Sequence, residues 1–127
     1  YGKNFVYTML NLAKTHDTLT VVNDQVGRPT WTNTLAQFML YIVKNKVAFG
    51  TYQLSNDDSC TWYEFACEIL KDTDTKVLPV TSALYPQKAK RPAYSIMSLD
   101  KAKATGFVDP TWREALQSFL ILLEYEK

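Results

Sequence analysis

Lys88, Lys90 and Arg91 stand together between Pro86 and Pro92 and form the one cationic cluster in the sequence. An arginine at such a place can lay its planar fork on a phosphate, and Tyr85 and Tyr94 on either side can stack on a base or a sugar. A solvated loop is the plainer alternative for the same residues. A second group, Asn23-Asp24-Gln25-Val26-Gly27-Arg28-Pro29-Thr30, is a polar turn that ends a β-rich run, with Gly27 and Pro29 fixing its backbone. Strand ends of this kind hold ligands in α/β proteins, although a simple strand-to-helix connection uses the same residue types. Among the tryptophans, Trp62 and Trp112 each begin a helical stretch and read as core anchors, whereas Trp31 follows the polar turn and could line a pocket.

The remaining reactive side chains read as structural. Asp57 and Asp58 sit beside Ser55 and Asn56 in a polar loop, where solvated turn acids are the ordinary outcome. Cys60 and Cys67 make no CxxC pair, Cys67 lies on a helical stripe with no cation to support a thiolate, and His16 is alone. Neither a zinc site nor a disulfide framework is expected, and a reducing cytoplasm is the simplest compartment. The four glycines are far apart, so no glycine-rich turn can admit a dinucleotide pyrophosphate. No helical tyrosine has a lysine four residues on: Asn11 follows Tyr7, Asn45 follows Tyr41 and Cys67 follows Tyr63. No complete catalytic site can be assembled from these residues.

The elements that must position these groups alternate in type. Apolar spacing predicts a helix between Lys3 and Lys14 capped by Asn4, then a strand over Thr18 to Asn23. Thr32 or Thr34 can cap a second helix closing near Gly50, with a wide inward stripe of Leu35, Phe38, Met39, Ile42 and Val43. Thr51 to Leu54 reads as a short strand, and Thr61-Trp62-Tyr63-Glu64 as a capping box opening a helix to about Leu70. Lys76 to Val80 is strand-like, Thr81 to Pro92 an irregular loop, and Ser98-Leu99-Asp100 can cap a short helix stopping at Gly106. Pro110 begins a last helix buried through Trp112, Ala115, Leu116, Phe119, Leu120 and Leu123. The fold class is therefore α/β, with strands too few and short for a doubly wound sheet unless another segment donates more.

Composition narrows the classes further. With 46% apolar and 21% charged residues the chain is too apolar for disorder, and 14 basic against 13 acidic residues give no field to hold nucleic acid or an anionic bilayer. No apolar run approaches the roughly 18 residues of a membrane span. With no repeat and no Gly/Ser linker, residues 1–127 read as a single unit, and Tyr1 in place of Met suggests a piece of a longer protein.

Taken in order, Gly2-Lys3-Asn4-Phe5-Val6, Val22-Asn23-Asp24-Gln25-x-Gly27-x-Pro29-Thr30, Tyr52-x-Leu54-Ser55, Thr61-Trp62-Tyr63-Glu64-Phe65-Ala66, Arg91-Pro92-x-x-Ser95 and Leu99-Asp100-x-x-Lys103 resemble the dTDP-4-dehydrorhamnose reductase family. These are extended short-chain dehydrogenases/reductases, and the resemblance covers essentially the whole chain. It implies the C-terminal, sugar-nucleotide-binding portion of a Rossmann-like reductase that moves hydride from NADPH or NADH to the 4-keto carbon of dTDP-4-dehydro-β-L-rhamnose. The cofactor turn and the Tyr-x-x-x-Lys pair would lie in a preceding N-terminal domain. That domain and the dTDP-sugar are the expected partners, together with further copies of the chain. The resemblance implies that Asn4, Gln25, Arg91 and Ser95 face substrate, the last two where relatives hold a nucleotide diphosphate. Some members bridge subunits through magnesium held by glutamates; Asn33 stands where they place an acid, and a neutral amide is a poor ligand for a hard cation. A noncatalytic homologue of the same fold, and a reductase or epimerase for another nucleotide sugar, are the competing expectations.

Overall fold

In chain order the elements are α1 (Phe5–Ala13), β1 (Thr18–Val22), β2 (Val26–Gly27), α2 (Thr32–Lys44), β3 (Cys60–Thr61), α3 (Trp62–Ile69), β4 (Lys76–Val80), α4 (Asp100–Lys103) and α5 (Trp112–Tyr125), with a 3₁₀ turn at Ser82–Leu84. The computed structural model describes residues 4–125. They gather into two compact units, the first within Tyr1–Gly27 and Cys60–Ser95, the second within Arg28–Ser59 and Ile96–Lys127.

In the first unit α1 begins where its cap predicts. Asn4 is extended at φ −147°, and its side chain accepts the Tyr7 N–H at 2.9 Å, satisfying one of the donors a helix start leaves open. Val6 and Met9, one turn apart, are the buried face. The capping box of α3 is present in both directions: Glu64 N–H donates to Thr61 Oγ1 at 3.2 Å and Thr61 N–H to Glu64 Oε1 at 3.2 Å. Phe65, Ala66, Ile69 and Leu70 are buried, and α3 packs against both α1 and β1.

β1 and β4 pair in parallel, Thr18 opposite Lys76 and Val22 opposite Val80. Lys76 N–H donates to Asp17 O at 2.8 Å and Asn23 N–H to Val80 O at 2.9 Å, so the ladder continues one residue past each end of β1. The turn expected over Asp24 to Pro29 contains a two-residue antiparallel ladder, Val26 opposite Thr61 and Gly27 opposite Cys60. A Cβ at Gly27 would lie 3.1 Å from Ser95 Oγ, so a side chain there would push the serine hydroxyl aside by a few tenths of an ångström.

The second unit departs from the sequence reading in two elements. α2 ends at Lys44, with Asn45 as its C-cap. Trp31 rather than a threonine is its N-cap and makes no side-chain capping bond, while Thr34 is buried inside the helix. The inward stripe is narrow: Thr34 and Phe38 are buried, but Met39 and Val43 are 63% and 77% exposed. Residues 34, 38 and 41 share one face of a 3.6-residue helix, which rotates 39 and 43 away. Thr51 to Leu54 is not a strand; Tyr52 instead packs its ring edge-on to Phe38, and its hydroxyl donates to Ala48 O at 2.7 Å. In α5, Trp112, Ala115 and Leu116 are buried as expected, while Phe119, Leu120 and Leu123 are half-buried. α4 ends at Lys103, three residues before the expected stop, with Ala104 as its C-cap; Gly106, at φ 91°, closes the turn that follows.

Candidate functional site

Both parallel strands of the first unit run toward one cleft of about 450 Å³. Its floor is the C-terminal half of β1 (Thr20, Val21, Val22) with Phe5, Met9 and Trp62, and its lip is Ser82, Tyr85, Pro86, Gln87, Ala89, Lys90 and Arg91, with Gln25 from the turn after β1. Ligands of α/β proteins bind outside the carboxyl ends of strands, where side chains of the following loops converge. The floor is apolar and pre-packed: the Phe5 ring lies 4.8 Å from that of Trp62 and stacks at 5.4 Å on that of Phe65. The lip supplies charge, since Lys90 and Arg91 are exposed and have no ion-pair partner among the described residues. Such a site can take a ligand with an apolar or stacking body and an anionic tail.

The lip is tied to the floor at two points. Asp24 Oδ2 accepts the Ser82 N–H at 3.0 Å and the Ser82 hydroxyl at 2.9 Å, and these bonds, the backbone one foremost, hold its pKa below the usual carboxylate value. Thr20 Oγ1 and Tyr85 OH lie 2.6 Å apart.

Of the four residues expected to face substrate, Gln25 and Arg91 line this cleft together. Asn4 and Ser95 lie outside its lining. Asn4 caps α1, beside Phe5 on the cleft floor. Ser95 is bound to the β2 edge, its N–H donating to Val26 O at 3.0 Å and its hydroxyl to the same oxygen at 3.3 Å. The tryptophan on the cleft is Trp62, not Trp31, whose ring meets Phe119 edge-on at 6.3 Å. Thr20 and Ser82 are cleft residues that composition did not single out, because their partners lie about 60 residues away in sequence.

The polar loop acids also have partners. Asp57 pairs with Lys103 at 2.9 Å and Asp58 with Arg113 at 3.1 Å, both partly exposed. The Lys103 side chain holds the Asp57 pKa below its ordinary value. Tyr63 has its phenol pKa raised, chiefly by a hydrogen bond with Cys67, one helical turn on. Among the described residues no three His, Cys, Asp or Glu side chains gather to hold a metal ion.

A nicotinamide cofactor needs an open glycine cradle ahead of a helix. At Gly27, Gly50 and Gly106 the place of a Cβ is instead met by Ser95, Lys101 and Tyr41 within 3.1 Å. The described residues offer no such cradle and do not fit a dinucleotide.

A parallel β–α layer whose strand ends open on a cation-edged cleft, without a dinucleotide turn of its own, defines the ligand-binding part of an α/β protein. The family model of the RmlD substrate binding domain matches residues 1–124, and the chain belongs to that family. It is 42% identical over 121 residues to the spore coat polysaccharide biosynthesis protein SpsK of Bacillus subtilis, covering 94% of this chain and 42% of SpsK. The crystal structure of a dTDP-4-dehydrorhamnose reductase from Clostridium acetobutylicum superposes with a TM-score of 0.90 at 42% identity, covering 97% of this chain and 45% of that one. That of a Bacillus anthracis dTDP-4-dehydrorhamnose reductase in complex with NADP gives 0.88 at 38% identity, over 95% and 44%. The chain thus spans less than half the length of these relatives and corresponds to their C-terminal part in an extended Rossmann-like fold. No described helix is long and apolar enough to cross a membrane.

Proposed function

We propose that the chain is the substrate-binding part of a dTDP-4-dehydrorhamnose reductase, which reduces dTDP-4-dehydro-β-L-rhamnose to dTDP-L-rhamnose for cell-wall polysaccharide synthesis. Hydride from NADPH or NADH goes to the 4-keto carbon and a proton to its oxygen; the groups that hold the cofactor and move the proton belong to an N-terminal domain preceding these residues. This chain's own part is to bind and orient. Arg91 and Lys90 meet the diphosphate, Tyr85 and Trp62 offer faces to the base and sugar, and Gln25 offers an amide to a hydroxyl. Asn4 and Ser95 complete the surroundings of the substrate. The protein works in the cytoplasm, and further copies of the chain are its remaining partners.

The observation that carries this reading is the pair of cations on the cleft lip, which no carboxylate among the described residues neutralises. In the full-length protein Arg91→Ala is expected to raise the Michaelis constant for the dTDP-sugar about tenfold or more while leaving that for the nicotinamide cofactor within about twofold. Unchanged sugar affinity sinks the assignment. Identity of 35% over 120 residues to a probable dTDP-4,6-dihydroxy-2-methyloxan-3-one 4-ketoreductase of Streptomyces antibioticus, covering 91% of this chain and 41% of that protein, favours a second reading, a reductase or epimerase for another nucleotide sugar. Turnover measured across a panel of nucleotide sugars separates the two.

A further inference from the structure

The segment that forms the cleft lip has little of its own to hold it. From Ala83 to Ser95 every residue is exposed, the 3₁₀ turn at Ser82–Leu84 buries none of its residues, and no regular element follows until α4. A segment of this kind, if free, must be ordered by its ligand, and the ordering weakens binding. Its far end is tied by backbone bonds to β2, Val26 N–H donating to Ala93 O at 2.7 Å and Ser95 N–H to Val26 O at 3.0 Å, and two side-chain anchors reach its start from the sheet side. Asp24, immediately beyond β1, accepts both the backbone N–H and the hydroxyl of Ser82 through one oxygen. Thr20, on β1 itself, meets the Tyr85 hydroxyl. Asp24 does not line the cleft, whereas Ser82, Tyr85, Lys90 and Arg91 do.

We infer that Asp24 is a positioning residue: by clamping Ser82 it fixes the start of the lip that carries Tyr85, Lys90 and Arg91, and so sets affinity for a nucleotide-diphosphate ligand it does not touch. The inference rests on the reading of the cleft as the sugar-nucleotide site. Thr20 is a second anchor near the same end of the lip, at Tyr85, so loss of Asp24 loosens the start of the segment while Thr20 and, at the far end, Val26 still hold it.

The test uses the full-length protein with Asp24→Ala, Asp24→Asn and, as a reference, Arg91→Ala. Asparagine keeps an oxygen that can accept both Ser82 bonds and loses only the charge. Asp24→Ala is expected to raise the Michaelis constant for the dTDP-sugar about five- to tenfold with kcat kept within about twofold, and Asp24→Asn is expected to restore most of the loss. Limited trypsin digestion supplies a readout independent of turnover, because the Lys88–Ala89 and Lys90–Arg91 bonds are cleavable while Arg91 is shielded by Pro92. Cutting at Lys88 and Lys90 is expected to accelerate about threefold or more in Asp24→Ala. Unchanged cutting overturns the clamp. Faster cutting with unchanged sugar affinity overturns the positioning role if Arg91→Ala still weakens the sugar, and overturns the reading of the cleft itself if Arg91→Ala does not.

Discussion

Asn56 donates its side-chain amide to Thr34 Oγ1 at 2.9 Å, across 22 positions of sequence, and neither residue has more than 1% of its surface exposed. The same side chain accepts the Trp31 N–H at 2.7 Å and donates to Pro110 O at 3.2 Å. One buried amide therefore joins the start of α2 to the residues before α5. Asn56→Ala removes all three bonds and leaves the Trp31 N–H and the Thr34 hydroxyl short of a partner, while Pro110 O keeps the Asp57 N–H at 2.9 Å. It is expected to cost about 2–4 kcal/mol, whereas Thr34→Val, which removes one partner at nearly constant volume, costs about 1–2 kcal/mol. Urea unfolding of the two variants and their double mutant measures the coupling; a loss below about 0.5 kcal/mol for Asn56→Ala would show that water replaces the network.

Asp109, before α5, is the carboxylate with the opposite tendency to Asp57. Both its oxygens are buried without a hydrogen-bond partner among the described residues, and burial, then the charge of Asp57, raises its pKa to about 6. Arg28 and Lys103 lower it only in part, and Arg28 Nε is itself buried and unbonded among the described residues. The folded pKa exceeds the ordinary value of 3.8, so the folded state binds the proton more tightly than the unfolded chain. Stability from this group is full below about pH 4 and is lost as the pH rises through 6. Asp57 acts in a lower window, its contribution being lost as the pH falls below about 4. Asp109→Asn is expected to stabilise the protein at pH 7.5 by about 1–2 kcal/mol after solvent screening, and to change little at pH 4. Denaturation midpoints measured between pH 4 and 7.5 check this; a wild-type and variant that run parallel across that range rule it out.

What the sequence displays and what it conceals follow from element length. α1, α3 and α5 carry apolar residues through two or more turns, and Asn4 and the Thr61–Glu64 box name their own starts. β2 and β3 hold two residues each, too few to show any alternation, so Val26 and Gly27 looked like turn. α2 misled for another reason: Met39 and Val43 are as apolar as Phe38, and residue type alone cannot tell which flank of a broad stripe meets water. Asn56 resembled its neighbours Ser55 and Asp57, because a buried hub and a solvated turn use the same polar side chains. At the cleft, Gln25 and Arg91 were visible through charge and turn chemistry. Thr20, Asp24 and Ser82 act through pairings between segments about 60 residues apart, which spacing does not encode.

Pro79 fixes which side of the small parallel sheet is open. Lys76 N–H points to Asp17 O on the β1 side, and strand alternation turns Leu78 and Val80 the same way and positions 77 and 79 outward. The donor that proline lacks is therefore one that β1 never uses, so β4 keeps its ladder and is built as a terminal strand. By the same alternation Asn23 N–H, bonded to Val80 O, aligns with those of Leu19 and Val21, and the N–H groups of Thr20 and Val22 face the opposite edge of β1. No strand pairs with that edge among the described residues. In the 127-residue chain alone, Thr20 and Val22 amides are expected to exchange with solvent at least about tenfold faster than Val21. In the full-length protein a further strand is expected to close the edge, and the difference to shrink to within about threefold. Hydrogen exchange resolved to single amides reads both states. Equal, strong protection of Thr20, Val21 and Val22 in the short chain would mean that β1 needs no neighbour beyond β4.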